Sequence, residues 1–182
     1  MFEYIASIKS LIELANSVFK IKDDIRSTED IFDEIVVPTY ENMSKVTLDY
    51  LRIFVTFRNE LTNASSMDDL KTPVARFREN RLVLLPLRRE LRALSELASK
   101  NEKLAVFEEF FVSIRRMYRE GSASVDVDHF IVHITDSEFN LELNRKLANL
   151  LRFHEQRVES LWNLLSEIYT GLRIELKTKR LK

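Results

Sequence analysis

The chain has 182 residues, 45% of them hydrophobic and 31% charged, with a formal net charge of −1. That length suits one domain spanning 1–182, able to bury a continuous core without metals or disulfides. With two glycines and no cysteine, the composition excludes Gly-rich phosphate loops, disulfide-stapled modules, thiolate metal sites and a cysteine nucleophile.

The first expected helix runs from Phe2 to Lys20, where Ile5, Ile8, Ile12, Ala15 and Phe19 recur at spacings of three and four. Glu3 and Glu13 interrupt its apolar face, which fits neither a signal peptide nor a spanning helix and points to the cytoplasm. Ser27 or Thr28 is placed to cap the next helix, with Asp30 in its first turn. From there Phe32, Val36, Thr39, Met43, Val46, Tyr50, Ile53 and Phe57 alternate steps of four and three, a heptad seam of the coiled-coil type. Pro38 falls inside this seam and predicts a kink, or a fresh helix start after Val37.

Asp68 or Asp69 is expected to open a third helix with the seam Val74, Phe77, Leu84, Leu87, Leu91, Leu94 and Ala98. Pro86 lies within it and predicts a bend or a split. Asn101 and Glu102 open a fourth helix, which Gly121 closes. Residues 122–136 carry clustered β-branched side chains and read as a loop or short extended excursion. Asp136 or Ser137 then caps a last helix whose seam is Leu143, Leu147, Leu150, His154, Val158, Leu161, Leu165, Ile168 and Leu172. The fold class is therefore all-α: an elongated antiparallel helical bundle of about five helices, with kinks or breaks near Pro38 and Pro86.

Charge is unevenly spread. Residues 1–75 hold 13 acidic and 8 basic side chains, residues 76–120 hold 7 and 11, and the remainder balance at 9 and 9. The most suggestive cluster is Arg76, Arg78, Arg81, Arg88, Arg89 and Arg92, with Arg81, Arg88 and Arg92 on one helical face. Arg115, Arg116 and Arg119 extend it. Such a stripe meets either acidic protein surface or phosphate backbone, and the pI of about 6.3 favours protein. The acidic run Asp23, Asp24, Glu29, Asp30, Asp33 and Glu34 supplies a surface of opposite sign.

Chemistry-bearing residues are sparse. His129 and His133 stand four apart near Asp126, Asp128 and Asp136, yet no Glu follows His129 as in His-Glu-x-x-His hydrolases, and a polar loop with surface histidines is expected. His154 falls on an apolar seam and reads as a core or interfacial histidine; neither Arg145 nor Arg152 pairs with it as a nuclease dyad. No serine sits on a tight glycine turn, and no Glu-x-x-His pair is present to build a di-iron site. No catalytic residue, cofactor, metal or small-molecule substrate is expected. The function expected is that of a non-enzymatic helical interaction protein, an accessory or regulatory subunit that pairs with itself or with a larger partner. A membrane-perturbing bundle using Phe2, Ile5, Ile8, Ile12 and Phe19 is one alternative; a nucleic-acid-contacting subunit is another.

Overall fold

The computed structural model describes Glu13 and residues 27–98, 102–120, 125–136 and 138–180. Every regular element among them is helical: α1 (Thr28–Ile31), a π-turn (Phe32–Val36), α2 (Val37–Asn63), α3 (Met67–Ala98), a 3-10 turn (Glu102–Phe107), α4 (Glu108–Glu120), α5 (Val125–Asp136) and α6 (Leu141–Arg180). Apart from Glu13, which is helical, the first expected helix lies outside the described residues, as does the Gly121 cap. The protein is an all-α helical bundle.

Local signals set the helix starts. Ser27 accepts from the Asp30 amide while Asp30 accepts from the Ser27 amide, a reciprocal capping box. Ser66 and Asp69 repeat the same device at the start of α3, with Ser65 donating to Asp69 as well. The residue that opens α3 is thus Ser66, and Asp69 answers it from the third helical position. α6 opens on Asn140, whose Oδ1 accepts from the amides of Glu142 and Leu143 at 2.9 and 3.1 Å. Asp136 does not cap it, because it is the last residue of α5, and Ser137 lies outside the described residues.

Pro38 is accommodated without ending the helix. The preceding π-turn sets the Val37 amide on the Phe32 carbonyl, five residues back. Thr39 Oγ1 donates to the Ile35 carbonyl at 2.6 Å, and the Asn42 amide group donates to the Pro38 carbonyl at 2.9 Å. Side chains thereby occupy carbonyls around the place where the proline supplies no N–H. Pro86 does not split α3, which is continuous from Met67 to Ala98 through both Pro73 and Pro86.

The clearest correction concerns residues 122–136. Val125–Asp136 is a helix, not a loop or extended segment. Val127, Ile131 and Ile134 are buried at spacings of four and three, and burial of that face overrides the weak helix preference of β-branched residues. The fourth expected helix is also modified: its first turn is 3-10, and the α-helix begins at Glu108.

The heptad seam of α2 is spent inside the chain. Phe32, Val36, Thr39, Met43, Val46, Tyr50 and Phe57 are all buried, and only Ile53 is half-exposed. α3 runs antiparallel to α2, as Tyr50 meets Arg88, Phe57 stacks on Phe77 at 4.3 Å between ring centroids, and Glu60 pairs with Arg76. α6 is antiparallel to α2 on another side: Phe32 faces Tyr169, Tyr40 faces Trp162, and Arg58 faces Glu155. Phe54, Phe57, Phe77, Phe107, Phe110 and Phe111 are the largest fully buried side chains among the described residues. Each aromatic ring buries some 150–250 Å² and so dominates the apolar driving force.

The α2–α6 contact is polar at two points. Arg58 Nε donates to both carboxylate oxygens of Glu155 at 2.8 and 3.1 Å, and Glu155 is buried. Tyr40 donates to Ser166 Oγ at 3.1 Å, and Ser166 in turn donates to the Trp162 carbonyl. Glu155, Leu151 and Tyr169 were not on the expected seam of α6. The buried line runs through Asn144, Leu147, Leu151, Glu155 and Val158.

Candidate interaction surface

The basic stripe on α3 divides into two parts. Arg81 is half-buried with its guanidinium 5.4 Å from the Phe77 ring centroid, and Arg88 is half-buried 5.0 Å from that of Tyr50. Both lie over rings that belong to the α2–α3 seam. Arg76, earlier on the helix, pairs with Glu60 of α2. Arg78 and Arg89 are exposed. These residues do not form one uninterrupted line toward solvent.

Arg92 belongs to a different place. It lines a cleft of about 750 Å³ together with Arg115 and Arg116 of α4, so two helices bring three of the predicted arginines to one opening. Val112, Leu164 and Ile168 supply its apolar wall. Val112 and Leu164 are 39% and 37% exposed, large values for apolar side chains lining a concavity. Glu96 and Glu109 also reach the cleft, and Arg92 Nε donates to Glu96 at 2.8 Å across one helical turn. Arg119 lies one turn beyond Arg115 on α4, and its side chain is outside the described residues.

Three helices meet at the cleft. α4 packs on both α3 and α6 through Phe110, Phe111, Ile114 and Met117, which points Val112, Arg115 and Arg116 away from that core. Ser113 is nearly buried and lines the floor. The arginines were legible as a basic cluster, but Val112, Leu164 and Ile168 were not. Val112 did carry a signal, an apolar residue on the side of α4 opposite its buried stripe.

A second concavity of about 320 Å³ lies between α2 and α3, with Asp49, Arg52, Glu60 and Arg76 around it. Its two acids are balanced by its two bases, and Phe57 and Phe77 also line it. It presents no unbalanced charge to a ligand.

The histidines separate as well. His154 is half-buried on α6 beside Phe153, with ring centroids 5.9 Å apart. His129 and His133 are exposed on one face of α5, their Nε2 atoms 3.2 Å apart. Among the described residues, no group of three or more His, Cys, Asp or Glu is arranged to hold a metal ion. No helix among them is long and apolar enough to cross a membrane.

Among the described residues, the shifted groups lie outside the cleft. Hydrogen bonds from Ser65 and Ser66 hold the Asp69 carboxyl below its ordinary value. Burial pushes the Tyr169 phenol up, against the opposing charge of Arg173. Neither belongs to the cleft.

The chain matches no known protein family, no characterised protein and no solved structure. The functional reading therefore rests on the cleft itself.

Proposed function

We propose that this protein is a non-enzymatic interaction subunit, and that it holds its partner in the cleft between α3, α4 and α6. The observation that carries the reading is the pairing of an apolar wall (Val112, Leu164, Ile168) with a charged rim in which three arginines (Arg92, Arg115, Arg116) outnumber two glutamates (Glu96, Glu109) in one opening. That combination suits an amphipathic partner helix with apolar residues on one face and carboxylates flanking them. The apolar groups supply the affinity, and the arginines set orientation and reject basic competitors.

Phosphate backbone is the weaker reading for the same surface. Arg81 and Arg88 stack on internal rings, so a nucleic acid would meet a shortened basic track rather than the full stripe. The intramolecular use of the α2 seam also makes the cleft, and not the heptad line, the surface through which association is expected.

The test places a photo-crosslinking amino acid at Val112 and compares it with the same probe at exposed Leu82 on α3. Crosslinked partner is expected at Val112 alone, and is expected to disappear when Arg115→Glu and Arg116→Glu are combined. Equal adducts at both positions, or adducts that persist after the charge reversal, would overturn the reading. So would a chain that sediments strictly as monomer and captures nothing at Val112.

A further inference from the structure

We propose that His129 and His133 of α5 form a two-point binding site for a late first-row divalent cation such as Zn²⁺. Four-residue spacing on a helix puts both rings on one face, and here the Nε2 atoms stand 3.2 Å apart with both side chains exposed. Zinc binds imidazole nitrogen at about 2.0–2.1 Å. Two such bonds across that separation subtend about 100–106°, close to the tetrahedral angle that zinc prefers. The spacing is too long for a metal held at a right angle at the same bond lengths, and too short for a linear arrangement.

The metal-free pair is joined by one N–H···N hydrogen bond, in which one ring donates and the other accepts. Zinc requires both Nε2 lone pairs, so the donor ring must move its proton to Nδ1. The rings stand at 88° to each other with centroids 4.6 Å apart. Rotation about the soft second side-chain torsion of histidine turns both lone pairs toward a common point. Val127, Ile131 and Ile134 anchor the opposite face of α5 in the core, so the helix that carries the pair is held in place.

Two protein ligands leave two coordination positions for water or for a donor from another molecule. The site is therefore open, unlike a closed structural zinc site with four protein ligands. Softer imidazole ligands select zinc, copper and nickel over magnesium and calcium. The site is separate from the cleft and does not depend on the interaction reading.

The experiment is calorimetric titration of the metal-stripped full chain with Zn²⁺, then with Mg²⁺. One saturable zinc ion per chain is expected, with no magnesium heat. His129→Ala and His133→Ala should each lower zinc affinity by on the order of tenfold or more, since each removes one of two ligands, while His154→Ala should leave it unchanged. Far-UV circular dichroism of each variant confirms that helix content is retained. The proposal is overturned if zinc binding is absent, if it survives undiminished in the double alanine variant, or if magnesium binds equally well.

Discussion

Arginines as little as one turn apart on α3 are put to opposite uses. Arg81 and Arg88 lie over Phe77 and Tyr50 and serve the α2–α3 seam, whereas Arg92 joins Arg115 and Arg116 at an open cleft. An arginine stem covers apolar surface as readily as its head meets an anion. Which of the two it does depends on what the neighbouring helix places beneath it. The closed side is stabilised by aromatic packing, while the open side keeps apolar surface that the fold leaves uncovered.

The largest expected effect lies on the closed side. Phe77 touches both Phe54 and Phe57, with centroids 5.2 and 4.3 Å away. Phe77→Ala should destabilise the protein by about 3–5 kcal/mol, read from the urea unfolding midpoint. A loss under 1 kcal/mol would show that the seam is not tightly packed.

Next comes the ion pair that joins α2 to α6. Removing one member of a buried pair typically costs about 3–5 kcal/mol. Arg58 keeps 28% of its side chain exposed and rehydrates when left alone, so Glu155→Ala should cost less, about 2 kcal/mol. A double-mutant cycle with Arg58→Ala isolates the pair, and additive losses would deny the coupling.

The comparison itself is sharpened by Arg88→Ala against Arg115→Ala. Loss of the ring contact with Tyr50 should lower stability by about 0.5–1 kcal/mol. Arg115→Ala should change stability by under about 0.5 kcal/mol, while weakening partner capture at Val112. Equal stability losses would erase the distinction between the two regions.

A further effect of the same order but opposite sign is expected at Asn144. Its side-chain nitrogen is buried and has no hydrogen-bond partner among the described residues. Asn144→Leu should raise stability by about 1 kcal/mol, seen as a higher melting temperature.

The smallest effect is pH-dependent and belongs to the turn that joins α2 to α3. Asp69 is held below its ordinary value by Ser65 and Ser66, so its contribution is present above the ordinary aspartate range. That contribution is lost as pH falls through the lowered folded value. Asp69→Asn should flatten the acid limb of the stability curve measured by urea titration between pH 5 and pH 2, and an unchanged limb would remove the cap from the account.

Much of the bundle was legible because apolar spacing and capping residues are local signals. The seam from Phe32 to Phe57 and the cap at Ser27 rest on neighbours three or four residues apart, whereas the caps Ser66 and Asn140 stand near equally suitable Asp and Ser residues and were not singled out. α5 was misread because its β-branched residues speak for extended chain, and only burial against α6 and α3 tips them into a helix. That correction is what aligned His129 with His133. The cleft was half legible: its arginines stand out in the sequence, but its apolar wall joins α4 to α6 across some fifty residues.

What the sequence by itself determined is the helical class, the main seams and the basic middle of the chain, since periodicity and charge are properties of neighbours along it. Tertiary structure alone decided which arginines stack on rings and which line the cleft. It also decided where the α6 face turns, and that α5 is a helix. Those outcomes depend on which surfaces meet, and surfaces from distant segments meet only in the packed chain.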